Sequence, residues 1–172
     1  LYGDSRILIV AISSDLCNLY IVNVHSPDSG HTDAFIIEWW RLFDIIIYKY
    51  IPRGRNFVLV GDLNAKVGNV ETEHIGSFRP DPQDTGGACL HAFLSKHNMY
   101  LPSTSMDTHD RSPPHTYISR CGNSKRLDYI SVPLVWKTRS PVASSRPDAE
   151  VRLSEFDHIP ISLSVSPAPG VV

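Results

Sequence analysis

Phe57-Val58-Leu59-Val60-Gly61-Asp62-Leu63-Asn64-Ala65-Lys66-Val67-Gly68 is the stretch whose reading decides the fold. Four apolar residues, too few for a helix, run straight into Gly, Asp and Asn. That is the pattern of a buried strand whose carboxyl end delivers polar groups into a cleft. Asp62 and Asn64 are two apart, so on an extended backbone both point to one side. A carboxylate beside an amide can hold a metal-bound water and hydrogen-bond a phosphoryl oxygen, as phosphodiester cleavage requires. The same residue types also make an ordinary polar turn after a strand.

Two later segments favour the chemical reading. Lys125-Arg126-Leu127-Asp128-Tyr129-Ile130-Ser131-Val132 is strand-like with an Asp set in an apolar run, and Asp157-His158-Ile159-Pro160-Ile161-Ser162-Leu163 puts an Asp-His pair before an alternating strand. A buried Asp is unfavourable unless it is paired or binds a cation. His158 is the obvious partner for Asp128, because a carboxylate fixes an imidazole tautomer and raises its basicity. Taken singly, each motif is more often structural: an Asp that caps a turn, or a surface or satisfied core histidine.

In this order the motifs resemble the endonuclease/exonuclease/phosphatase superfamily, which includes apurinic endonucleases, pancreatic deoxyribonuclease and retrotransposon endonucleases. Gly61-Asp62-Leu63-Asn64, Arg126-Leu127-Asp128-Tyr129-Ile130 and Asp157-His158-Ile159-Pro160-Ile161 carry the likeness. Tyr20-Ile21-Val22-Asn23-Val24-His25-Ser26-Pro27 and the segment Gly87–Leu94 agree with it. The resemblance implies an α/β chain folded as a four-layer α/β/β/α sandwich, and a parent activity of magnesium-dependent (or manganese-dependent) DNA phosphodiester cleavage. It implies that Asp62 orients or deprotonates the attacking water and that Asn64 steadies this water and the pentacovalent phosphorus. His158, held by Asp128, would bind a non-bridging oxygen or assist proton transfer. Asp157 would help Asp62 hold the cation, and His25 would touch the phosphate from the rim. The form Gly61–Gly68 looks most like endonucleases of non-long-terminal-repeat retrotransposons, whose partner is a reverse transcriptase in the same polypeptide. Two alternatives stand beside this: a phosphatase of the superfamily acting on inositol phosphates or sphingomyelin, and an inactive remnant.

One family feature is missing. The domain normally opens with a strand, a helix and a strand ending in Gln-Glu, whose Glu is a principal metal ligand. No Gln-Glu pair occurs here, and Arg6–Val10 already reads as a strand from mid-fold. The resemblance therefore implies the carboxyl-terminal two-thirds of a domain over residues 1–166, truncated at the amino terminus, with a frayed tail at 167–172. Little or no nuclease activity is expected of these residues alone, and an exposed apolar patch is expected beside the strand at 6–12 or 18–24.

Composition bounds the rest. The 172 residues are 42% hydrophobic, enough for one core. No run approaches the ~20 apolar residues of a membrane helix, and no signal leader appears, so a nuclear or cytoplasmic location without a membrane is expected. Cys17, Cys89 and Cys121 are odd in number and widely spaced, which fits reduced thiols rather than a zinc site. Net charge is −2, but residues 1–110 carry −5 and residues 111–172 carry +3. Arg120, Lys125 and Arg126 lie in the basic part beside the motifs, where phosphate contact is a fair use for them and a solvated surface an equal one. Gly-rich phosphate loops, Gly-x-Ser-x-Gly and His-Glu-x-x-His are all absent. Strands are expected at 6–12, 18–24, 57–61, 99–101, 115–120, 126–132, 150–153 and 158–165. Helices are expected at 33–50 and 86–97. The first would bury Phe35, Trp39, Leu42, Phe43, Ile46 and Ile47, start at Thr32 or Asp33, and end before Pro52. His91 and His97, six apart on the second helix, are expected to be ordinary surface residues.

Overall fold

The computed structural model describes residues 1–14, 18–110, 112–147 and 157–166. In chain order its elements are β1 (Tyr2–Gly3), β2 (Ile7–Ser13), β3 (Asn18–His25), α1 (Asp33–Tyr50), β4 (Phe57–Asp62), α2 (Thr85–His97) and β5 (Met99–Tyr100). After these come β6 (Tyr117–Ile118), β7 (Ser124–Lys125), β8 (Asp128–Pro133), β9 (Val142–Ser145) and β10 (Ile161–Ser164). Six strands form one mixed sheet in the order β1-β2-β3-β4-β8-β5, while β9 with β10 and β6 with β7 form two-stranded sheets. β3 and β4 run parallel because α1 carries the chain back across the sheet. β8 returns antiparallel to β4, which sets Asp62 directly opposite Asp128.

The layers follow from alternation along the strands. Ile7, Ile9, Val22, Val24, Phe57, Leu59 and Tyr129 point to one face and are buried under α1 and α2. Val58, Tyr100 and Val132 point to the other, packed against Leu163 of β10. Helices, main sheet and a narrow second sheet thus stack as three layers of the expected α/β/β/α sandwich, both α-helices of the described residues lying on one face. At the β2 end the second face is uncovered: Leu8, Val10 and Ile12 are 48%, 37% and 43% exposed. The apolar patch expected beside this strand is therefore present.

Both helices form where the periodicity puts them. Thr32 Oγ1 accepts from Phe35 N at 3.3 Å and caps α1. Asp84 caps α2 in the same way through Gly87 N at 2.8 Å. The buried stripe of α1 is a correction. Ile36, Trp40, Phe43 and Ile47 face the core, while Phe35 and Leu42 face solvent. Apolar residues surround almost the whole helix, so its periodicity admits two phases. The exposed Glu38–Arg41 pair marks the true solvent side. Phe43 then stacks on Phe93 of α2 at 5.1 Å, joining the helices.

Some expectations are revised. β1, β7 and β9 were not anticipated; β9 is Val-Ala-Ser-Ser, mostly small residues of weak strand preference. The strand at 126–132 begins at Asp128, because Arg126 and Leu127 belong to the loop that feeds it. The strand expected at 150–153, the tail at 167–172 and Cys17 lie outside the described residues. Cys89 and Cys121 are free thiols. Among the described residues no helix is long and apolar enough to cross a membrane.

Candidate active site

Three neighbouring strands end on one rung. Sheet register aligns His25 of β3 with Asp62 of β4, and Asp62 with Asp128 of β8. All three are at strand ends and share the face opposite the helices. Two carboxylates directly opposite one another repel, so something positive belongs between them. The imidazole of His158 sits there. Its Nδ1 is 2.9 Å from Asp128 Oδ2, and its Nε2 is 3.9 Å from Asp62 Oδ2. His25 Nε2 approaches the same Asp62 oxygen at 3.8 Å from the exposed rim.

Backbone geometry aims these groups. Gly61 has φ +131°, and a Cβ there would lie 2.0 Å from Val24 O. Only glycine lets β4 approach β3 this closely just before Asp62. Asn64 turns the chain at φ +42°, a left-handed conformation that Asn tolerates better than most residues. Its N–H donates to Asp62 Oδ1 at 3.0 Å, and its Nδ2 donates to Ser26 O at 2.9 Å. The amide is therefore fixed beside the carboxylate by this turn, and not by the extended backbone that the two-residue spacing assumes.

Two supporting residues went unnoticed in the sequence. Thr116 is buried, and its Oγ1 accepts from Leu127 N at 3.0 Å and Asp128 N at 2.9 Å, so it fixes the entry to β8. Ser26 Oγ donates to Leu63 O at 2.5 Å while Ser26 N donates to Asp62 O, stapling β3 to the turn. Single hydroxyls in loops carry no periodic signal. The Ser-Pro that follows His25 was the only available pointer.

The charges respond to this crowding. Burial first, then the Asp128 charge, outweigh the Asn64 hydrogen bond and the imidazoles and hold the Asp62 carboxyl above its ordinary range. For His158, partial burial disfavours the charged form. The hydrogen bond to Asp128 and the negative charges of Asp128, Asp62 and Asp157 outweigh it and raise the pKa. A proton or a cation is thus favoured at this spot.

Asp62, Asp128 and His158 each offer a ligand atom, all within 4.8 Å of one another, and form the one group among the described residues that could hold a metal ion. Two carboxylate oxygens and an imidazole suit a divalent cation of the harder or borderline kind. The Asp62 carboxyl, raised by burial and by a neighbouring charge, is a donor such an ion would relieve. Asp157 is not part of this group. It is exposed, and its carbonyl accepts from Ile118 N at 2.7 Å, while its charge still acts on His158.

The basic residues divide. Arg120 is exposed at the tip of the β6–β7 hairpin and Lys125 is half-buried at its base. Arg126 is a correction. It is 5% exposed, and its guanidinium donates to Pro114 O at 2.8 Å and Phe78 O at 3.1 Å. It clamps loops instead of facing a ligand. His97 is a second correction: its side chain is 8% exposed and its Nε2 meets Asp44 Oδ1 at 2.7 Å, tying α2 to α1. A cavity of about 580 Å³ lies at the opposite end of β4 and contains none of the site residues. The chemistry follows the carboxylates, not that volume.

No family model matches the sequence, and no curated protein matches it. Solved structures do. A 3′-5′ exonuclease, NExo, from Neisseria meningitidis superposes with a TM-score of 0.62 at 14% identity, over 94% of this chain and 65% of its own. An AP endonuclease from Archaeoglobus fulgidus gives 0.62 at 14%, over 93% and 65%. The endonuclease domain of TRAS1, a telomere-specific non-LTR retrotransposon, gives 0.57 at 12%, over 94% and 62%. The chain thus spans a little under two-thirds of the length of these neighbours. At such identities the likeness establishes the fold, which is the one the sequence motifs resemble.

Proposed function

We propose that this chain, which has the fold of those nucleases, is the larger part of a divalent-metal-dependent phosphodiester hydrolase, a DNA endonuclease of retrotransposon type. The observation that carries the reading is the rung His25–Asp62–Asp128 closed by His158, with Asn64 fixed beside Asp62. Asp62 and Asn64 orient the attacking water. Asp128 holds Nδ1 of His158, so that Nε2 faces the cleft, where it hydrogen-bonds a non-bridging phosphate oxygen or relays a proton. His25 contacts the phosphate from the rim. A magnesium or manganese ion held by Asp62 and its neighbours supplies Lewis-acid charge neutralisation when bound. The retrotransposon reading, with a reverse transcriptase as companion domain and a nuclear or cytoplasmic setting, rests on the Gly61–Gly68 form and the sequence resemblance it carries; the TRAS1 likeness supports the fold alone.

The test compares substrates on the polypeptide the surrounding gene encodes and on these 172 residues alone. Supercoiled plasmid should be nicked with magnesium or manganese and left intact in chelator. Inositol polyphosphates and sphingomyelin should be left uncut. Because the 172 residues contain no Gln-Glu pair, their rate should be far lower. Preferential release of phosphate from the inositol compounds would overturn the endonuclease reading.

A further inference from the structure

Beside the site, the loop before α2 and the base of the β6–β7 hairpin enclose a cleft of about 250 Å³, and Arg79, Asp81, His115, Lys125 and Arg126 are among its walls. We propose that this cleft is a second phosphate subsite, which takes the backbone phosphate of a nucleotide next to the one cleaved, with Arg79 and Lys125 as its cations. The inference rests on the phosphodiesterase reading of the neighbouring site and narrows its substrate to one that carries more than one phosphate, here a polynucleotide.

Charge is the first argument. Three cations line the cleft against one carboxylate, and that carboxylate is already engaged: Asp81 Oδ2 accepts from Arg126 N at 3.1 Å. Arg126 spends its guanidinium on Pro114 and Phe78, so it contributes charge without reaching out. Arg79 and Lys125 form no ion pair with any carboxylate among the described residues. Arg79 is exposed, with its guanidinium 5.8 Å from the Phe78 ring and no hydrogen bond to another of the described residues. Lys125 is half-buried and has no carboxylate partner among the described residues, so its charge is available to an arriving anion.

Connection is the second. Lys125 pairs across the hairpin with Tyr117, and its carbonyl accepts from Thr116 N at 2.8 Å. The Tyr117 ring lies 5.0 Å from that of His158, and Thr116 holds the backbone of Asp128. One short hairpin therefore links the cleft to both members of the catalytic pair. A polynucleotide places phosphates on both sides of each sugar and can fill both sites together. A substrate with a single phosphate, such as sphingomyelin, can fill only one.

The test is fluorescence anisotropy of a labelled DNA duplex with the protein in chelator, where nothing is cut, between 50 and 200 mM salt. Replacing both cations, Arg79→Gln with Lys125→Gln, should weaken binding roughly tenfold and lower the slope of log affinity against log salt by about one. Arg79→Lys should retain most of the affinity. Arg53→Gln with Arg55→Gln, at the far end of β4, should leave affinity and slope unchanged. Circular dichroism of each variant checks that it is folded. Equal affinity and slope in the Arg79/Lys125 variant and the wild type would overturn the subsite alone. Absence of DNA binding by the wild type would overturn the subsite and the endonuclease reading together.

Discussion

At the residue scale, the site depends on hydroxyls and amides that never touch a substrate. Thr116 serves two consecutive backbone N–H groups at the entry to β8. Thr116→Val keeps the shape and removes the acceptor, leaving two half-buried donors without that partner. We expect a loss of about 1–3 kcal/mol in urea unfolding, and a fall in cleavage rate, because Asp128 no longer sits squarely against His158. A variant as stable as the wild type would show that water replaces the hydroxyl. The central residues were legible in the sequence because each stands out chemically: Asp62, Asn64, Asp128 and His158 are polar groups set at or beside the ends of apolar runs. Arg126 was misread for a related reason. Within Lys125-Arg126 two adjacent cations look alike, and only the fold decides which one the loop swallows.

At the element scale, close backbone approach and buried polar pairs hold the frame. Gly61→Ala would drive a Cβ into Val24 O at 2.0 Å at a positive φ. Separating β3 from β4 there should destabilise the chain by roughly 2–4 kcal/mol and disperse the rung, as read by thermal unfolding. His97 joins the helices. Burial first, against the pull of Asp44, holds its pKa below the ordinary histidine value. For Asp44, burial works upward, but the bonds from Lys96 and His97 outweigh it and lower the pKa. The two directions agree on a neutral His97 donating to an ionised Asp44. A group lowered in the folded state favours folding above its unfolded pKa. The contribution of His97 to stability should therefore be full above about pH 6.5 and fall with acidification below it, as the unfolded chain takes up a proton that folded His97 refuses, while the raised His158 acts in the opposite sense. Denaturation at pH 7.5 and pH 5.5 checks this, and His97→Phe should flatten the difference. Both helices were readable from spacing, whereas the phase of α1 was not, because its apolar residues run almost all the way round.

At the scale of the whole molecule, the sheet is dressed unevenly. Its helix face is closed, and the opposite face is closed only near β4 and β8 by β10. Leu8, Val10 and Ile12 are left facing solvent, and a contiguous apolar strand face promotes association. Sedimentation of these 172 residues should show concentration-dependent self-association that Leu8→Lys with Ile12→Lys suppresses. An unchanged sedimentation profile would mean this face is not the sticky one. The patch was foreseeable because Ile7–Ile12 is apolar at every position and needs cover on both sides. β9 was not, since its small residues gain their strand only by pairing with β10. What unites residue, element and molecule is the claim that β3, β4 and β8 are brought into register to place His158 between two carboxylates for phosphodiester cleavage. Plasmid nicking by the polypeptide the gene encodes, with magnesium, tests it most directly in the His158→Ala protein. We expect the rate to fall by about 10²–10⁴-fold, the range of general acid–base assistance, with folding intact. Nicking undiminished in that variant would contradict the assignment.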